Sequence, residues 1–281
     1  MKSNRRFKDR PTSGNDPRTR SAERESQTVR QPSSLTYGLL PVLEMLRANP
    51  RRIDRIVVAE GAREHRLREI TELARENGIR VERLPGEHIN RIAGDVNHQG
   101  VVAYAASADY AAADDIIDRA GKAPLFVLLD GVEDPRNFGA VLRTAECAGA
   151  DGVFIPERRA VGLTDTVAKS SAGATEHVKV AKVQNLNRLI DELKERNIWV
   201  VGTSGAAEKN YTDWDWRQPT ALVLGGEGSG LHRLTAEKCD ILVKIPMYGK
   251  IESLNVSVAA GVILFEARRQ RVERVRSSES F

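Results

Sequence analysis

From Pro124 onward the chain alternates short apolar runs with helical ones, and this rhythm restricts its fold more than any other feature. "PLFVLLD", "DGVFIP", "VKVAKV", "IWVVGT", "TALVLG" and "ILVKIP" read as strands. Between them stand helical stretches at 138–148, near 164–171 and at 185–196, and a terminal helix follows. Strands apolar on both faces need cover on both, and strands separated by helices pair in parallel. The pattern predicts an α/β domain with a parallel sheet and helices on both faces. No internal repeat is evident.

Upstream, "YGLLPVLEMLRA" reads as a short helix, "IDRIVVAE" as a strand and "EHRLREITELARENG" as an amphipathic helix stopped by Gly78. "IRVERL", a short helical "EHINRIAG" and "GVVAYAA" complete a small α/β domain. The expected organisation is a leader at 1–32, a first domain at 33–107, a linker or connecting helix at 108–123, a second domain at 124–272 and a tail at 273–281.

The formal net charge of +4 is unevenly placed, because residues 1–32 hold nine Lys or Arg against four Asp or Glu. That leader has almost no apolar residues, so it cannot offset its ordering entropy and is expected to be disordered. It is either a solvated extension without function or an arm for polyanions. It lacks the apolar core of a secretory signal, and no segment reaches the apolar length of a membrane span, which leads us to expect a cytoplasmic protein and no membrane partner. Cys147 and Cys239 sit in unrelated contexts without CxxC spacing and read as buried thiols. The five histidines are scattered, and no metal site is expected.

In a parallel sheet, ligands bind beyond the carboxyl ends of the strands, so the loops that follow strands are the informative ones. In "LLDGVEDPRNFGAVLRTAECAG", Phe138, Val141, Leu142 and Ala145 form a buried face, with Asn137 placed to cap the helix and Arg143 off the apolar stripe. Arg143 could equally form a surface pair with Glu146. "VVGTSGAA" runs into the small residues Thr203, Ser204 and Gly205, which let a ligand approach the backbone. "ALVLGGEGSGL" surrounds Glu227 with glycines; it is neither a P-loop nor a GxGxxG fingerprint. In "VKIPMYGKIESLN", Pro246 ends a strand, and the loop leads to Ser253 and Asn255 at the start of the terminal helix. There Val258, Val262 and Phe265 recur at helical spacing and read as a buried stripe, and the arginines that follow suit the helix dipole. Ser253 and Asn255 are either caps or site residues.

The order and spacing of "NFGAVLR", "GGEGSGL" and "IPMYGKIESLNVSVAAG" resemble the three motifs of the SpoU (TrmH-like) family of ribose 2′-O-methyltransferases, within the knotted SPOUT superfamily. Residues 35–106, ending in "HQGVVA", look like that family's N-terminal substrate-binding domain, similar to the ribosomal L30e fold. Taken whole, the chain most resembles the branch that methylates a guanosine in the peptidyl-transferase region of 23S ribosomal RNA. The resemblance implies a trefoil knot formed by loops 203–206, 225–231 and 245–254, bent S-adenosylmethionine as cofactor, ribosomal RNA as partner and a homodimer. It implies Asn137, Arg143, Glu227, Ser253 and Asn255 as the active-site set. For the cofactor it implies Thr203, Ser204, Gly205, Gly225, Gly226, Glu227, Ile245, Met247, Ser253 and Leu254. The long basic leader departs from the compact family pattern.

Methyl transfer from a sulfonium to a ribose hydroxyl requires alignment and removal of a weakly acidic proton, without metal or covalent step. The resemblance nominates Arg143 for proton removal, against which stands a guanidinium pKa above about 12. Either its surroundings lower that value, or Arg143 stabilises a developing alkoxide while another group takes the proton. Other classes fit less well. A silent RNA-binding protein should have lost the polar loop residues, and a nucleotide-dependent oxidoreductase needs a glycine fingerprint that is missing. Within the enzyme class the alternative is a transfer-RNA ribose methyltransferase.

Overall fold

The computed structural model describes residues 33–278 apart from 95, 107, 159 and 229, all within one compact unit of the chain. The expected leader at 1–32 and the end of the tail at 279–281 lie outside the described residues.

The N-terminal part is a four-stranded mixed sheet of order β1-β4-β2-β3. Its elements are β1 (Ser33–Tyr37), α1 (Leu39–Ala48), β2 (Ile53–Ala59), α2 (Glu64–Glu76), β3 (Arg80–Leu84), α3 (Gly86–Ala93) and β4 (Val101–Ala106). Leu67, Ile70 and Ala74 recur at helical spacing and bury α2 beside α1 against one face; Ile89 of α3 covers the other. Strand β1 was not expected from sequence, since "SSLTY" is short and polar at its start.

The C-terminal part is a seven-stranded, wholly parallel sheet of order β7-β6-β5-β10-β8-β11-β9. Its strands are β5 (Leu125–Asp130), β6 (Gly152–Pro156), β7 (Val180–Val183), β8 (Trp199–Thr203), β9 (Lys209–Asn210), β10 (Thr220–Gly225) and β11 (Ile241–Lys244). The helices are α4 (Ala113–Arg119), α5 (Pro135–Ala148), α6 (Asp165–Ser170), α7 (Leu186–Glu195), α8 (Arg233–Lys238) and α9 (Val256–Ser278). Strand alternation sends Leu125, Val127 and Leu129 into the core under α5 and α9, and Phe126 and Leu128 into the one under α4 and α7. Both faces are therefore covered, as the apolar strands require. The segment expected as linker contains α4, and α9 continues past residue 272 to Ser278.

Polar contacts tie the two parts together. Glu176, just after α6 and almost fully buried, accepts hydrogen bonds from Arg52 at 2.7 Å and Asn49 at 3.1 Å, and His177 lies 3.0 Å from Glu44. Lys169 sits 4.7 Å from the centre of the Tyr37 ring.

Two expectations about exposure are corrected. Val258 and Phe265 are 50% and 51% exposed; the buried stripe of α9 consists of Val256, Ala260, Ile263, Leu264 and Ala267. The small residues at 260 and 267 let α9 lie close to its neighbours, which turns the bulkier Val258 and Phe265 outward. Cys147 is likewise exposed, because it falls on the solvent side of α5 while Ala145 and Ala148 take the core positions.

Candidate active site

Strands β5, β10, β8 and β11 end at one edge of the sheet, and the chain departs from each of them through a loop expected to carry chemistry. A cavity of about 380 Å³ opens there, within the usual range for small-molecule sites. Thr203, Ser204, Gly205, Gly225, Gly226, Glu227, Ile245, Met247, Ser253 and Leu254 all line it. Gly228, Gly230, Lys244 and Glu252 also line it, and Leu224, Leu231, Ala236, Val243, Val256, Ala259 and Ile263, which sequence reasoning did not single out, complete the wall. Periodicity marks these as core residues, and only the fold shows that one end of that core is open. The lining thus joins apolar walls to hydroxyl and backbone groups and to the charged Glu227, Glu252 and Lys244, a composition with room for an adenosine and both signs of charge for a zwitterionic ligand.

The glycines of these loops differ in what surrounds them. A Cβ at Gly225 would lie 2.1 Å from the Gly230 carbonyl carbon, and one at Gly226 would lie 2.0 Å from the Gly131 oxygen. These two residues are glycine because the loop folds back on itself and against β5, as the bridge between Gly226 and Gly230 requires. Gly228 has open space but a φ of +90°, so its demand is conformational. Gly205 has only the Glu252 carbonyl near, at 4.0 Å, and there the backbone is open to a ligand.

Asn137 and Asn255, far apart in sequence, meet although neither lines the cavity; Asn255 stands in the chain between the lining residues Leu254 and Val256. The Asn255 Nδ2 donates to Asn137 Oδ1 at 3.0 Å, while its Oδ1 accepts from the Ser257 N–H at 2.9 Å and the Ser257 hydroxyl at 2.6 Å. Asn255 is therefore both the N-terminal cap of α9 and a partner of Asn137. Asn137 is not a cap. Asp134 caps α5 instead, accepting from the N–H groups of Arg136 at 2.8 Å and Asn137 at 2.9 Å, with Pro135 at the first helical position. Fixed this way, the Asn137 amide nitrogen keeps its hydrogens for another acceptor.

Arg143 lies two turns along α5, exposed, and among the described residues it forms no hydrogen bond or ion pair; the expected pair with Glu146 is not made. Glu146 instead acts on Cys147, whose thiol is pushed up by partial desolvation and by that carboxylate, with the Arg143 charge pulling the other way. Burial pushes the Cys239 thiol up to about 12. Both cysteines are thus protonated near neutral pH and offer no nucleophile. Ser253 and Glu227 are exposed at the cavity and make no side-chain hydrogen bond among the described residues.

One polar pair escaped sequence reasoning. Asp130, buried at the end of β5, accepts from the His232 N–H and from its Nδ1, each at 2.8 Å. It clamps the end of the glycine loop to β5, and its own carbonyl accepts from the Gly226 N–H at 2.8 Å. A carboxylate closing an otherwise apolar strand was the available signal. No group of His, Cys, Asp and Glu among the described residues could hold a metal ion. None of the helices described is long and apolar enough to cross a membrane.

Comparison with known proteins agrees with this geometry. Residues 124–265 match the SpoU rRNA Methylase family, and residues 35–111 match the RNA 2′-O ribose methyltransferase substrate-binding domain. A 23S rRNA (guanosine-2′-O-)-methyltransferase RlmB from Ralstonia nicotianae is 46% identical over 85% of this chain and 96% of its own. The protein of the same name from Xylella fastidiosa is 45% identical over 83% and 95%. The crystal structure of the SpoU methyltransferase AviRb from Streptomyces viridochromogenes, in complex with AdoMet, superposes with a TM-score of 0.72 at 26% identity, covering 86% of this chain and 92% of that one. On the family match over half its length and on relatives at this identity, the chain belongs to the SpoU family of RNA 2′-O-ribose methyltransferases.

Proposed function

We propose that the protein transfers a methyl group from S-adenosylmethionine to the ribose 2′-hydroxyl of a guanosine in 23S ribosomal RNA. The observation that carries this reading is the convergence of three loops, distant in sequence, on one cavity, with Asn255, which binds Asn137, standing in the chain between the lining residues Leu254 and Val256. The cavity fits the cofactor. Gly205 leaves backbone open, Leu224, Val243 and Ile263 offer apolar walls, and Glu227 and Glu252 give the lining carboxylates that would suit a cationic ligand, with Lys244 available for its carboxylate.

When bound, S-adenosylmethionine supplies an electrophilic methyl group. The residues of this chain have the remaining work. Asn137, fixed by Asn255, directs an N–H toward a ribose oxygen, and Ser253 offers a second polar contact. Arg143 stabilises the alkoxide that develops as the 2′-hydroxyl passes its proton to water or to a phosphate of the RNA. Alignment is the dominant contribution, because a close and oriented approach lowers the barrier without any group being consumed.

The same proposal includes the trefoil knot of loops 203–206, 225–231 and 245–254, the substrate-reading role of residues 35–106, a cytoplasmic location and a homodimer. Val258, Phe265 and Val272 are exposed apolar residues at seven-residue steps on one side of α9, which supports a second copy packed on that helix. The test is incubation of the full chain with unmodified 23S transcript and methyl-labelled cofactor, followed by primer-extension mapping. A single 2′-O-methylguanosine is expected. Methylation of transfer RNA alone would replace the substrate assignment, and binding without turnover would replace the enzymatic one.

A further inference from the structure

The loop between β11 and α9 carries side chains that neither the core nor the cavity uses. Tyr248 is 96% exposed and Ile251 77% exposed. Met247 on one side and Glu252, Ser253 and Leu254 on the other line the cavity, whereas Tyr248 does not. Among the described residues the Tyr248 ring has no aromatic, cationic or hydrogen-bonding partner. The other exposed large aromatics are placed elsewhere. Trp199 opens β8, at the end of the strand away from the cavity, with its ring 5.4 Å from Trp214, and Phe265 lies on the apolar line of α9. Tyr248 alone of these stands at the rim of the site, beside the exposed Gly249 and Lys250.

We propose that Tyr248 is a stacking platform for a base of the RNA substrate, with Lys250 set to meet the adjoining phosphate. The proposal rests on the RNA-methyltransferase reading above. A ribose hydroxyl that reaches Asn137 and Ser253 brings its base, or the neighbouring one, to the rim of the cavity. Proteins that act on unpaired RNA hold such bases by stacking them on aromatic side chains, which tolerates any base and needs no hydrogen bond. An aromatic ring almost wholly in water, with an exposed lysine two residues further along the chain, matches that chemistry. A second copy of this chain is the competing occupant, and the mixed setting of Gly249, Lys250 and Glu252 fits it less well than the exposed apolar residues Val258, Phe265 and Val272 of α9.

The experiment compares the wild-type chain with Tyr248→Ala and Tyr248→Phe. Stacking is read from quenching of 2-aminopurine placed in a single-stranded RNA probe. Turnover is read on 23S transcript, cofactor affinity by calorimetry and mass by light scattering. Tyr248→Ala should abolish the quenching and raise KM for RNA by about tenfold, the loss expected from one stacked base. Cofactor affinity and mass should stay unchanged, and Tyr248→Phe should restore both quenching and KM. Unaltered quenching in Tyr248→Ala, or a change in its mass or cofactor affinity, would overturn the proposal. If the wild-type chain methylates no transcript, the enzymatic reading fails separately, because the quenching comparison still decides whether Tyr248 stacks on RNA.

Discussion

At Gly226 one methyl group is enough to force the glycine loop away from β5, since the added carbon would sit 2.0 Å from the Gly131 oxygen, a backbone atom with little freedom to move. Gly226→Ala should therefore cost about 1–3 kcal/mol of stability, as overpacking does, and weaken cofactor binding because the displaced loop forms the cavity wall. Denaturant melts and calorimetry check the two effects. In the sequence, Gly225 and Gly226 stood out only through the cofactor role that the family resemblance implies; their crowding comes from contacts between segments that no local spacing records. Arg143 behaves in the opposite way, being exposed and unpaired among the described residues, so its removal should leave the fold intact. Arg143→Ala is expected to lower turnover by about a hundredfold, some 2.7 kcal/mol of barrier, with cofactor affinity unchanged. A single-turnover assay beside calorimetry would show it, and a loss below tenfold would remove Arg143 from the chemistry.

The terminal helix shows what an amphipathic reading captures and what it misses. Its existence, its start at the polar pair and the burial of one face were legible, because apolar residues recur through 256–267. Which face is buried was not, since nearly every position from Val256 to Phe265 is apolar or small and only the neighbours choose among them. The arginines, expected to favour the helix dipole, include one with a more specific task. Arg271 donates to the carbonyls of Trp216 at 2.8 Å, Ala123 at 2.6 Å, Pro124 at 3.1 Å and Gln218 at 3.2 Å, and burial holds its pKa below the usual guanidinium range. It pins α9 to the start of β5 and to the turn before β10. Arg271→Ala should destabilise the protein by about 2–4 kcal/mol, given charge-assisted bonds of about 1.5–3 kcal/mol and carbonyls left without a donor. Arg271→Lys should recover only part of this, because one ammonium cannot span the fork; chemical denaturation measures both. The strands were legible for a simpler reason, each being a short apolar run ended by Gly, Pro or a polar residue. Strands β1 and β9 and helix α8 are too short or too polar to stand out before their partners are known.

For the molecule as a whole, the outward face of α9 carries the proposal of a homodimer. Phe265→Arg, which places a charge in the middle of the apolar line, should convert the protein to monomer without lowering its melting temperature by more than a few degrees, as light scattering and calorimetry would report. An unchanged mass would send the dimer elsewhere. The order of the large sheet has a consequence of a different kind, in time. Thr220 of β10 pairs with Leu125 on one side and with Trp199 on the other, so the last of these three strands to be made lies between the two made earlier. β5 and β8 cannot close on each other before β10 arrives, and each pairing must wait for a long loop to come together. Refolding from denaturant should accordingly be slow and staged, with helix signal in the far-ultraviolet returning before the fluorescence of the buried Trp216, which follows β9 and rests under α9. On the ribosome the same order would leave an open, apolar slot in the nascent sheet until residue 225 has emerged, an interval in which the chain is exposed to aggregation and to capture by chaperones.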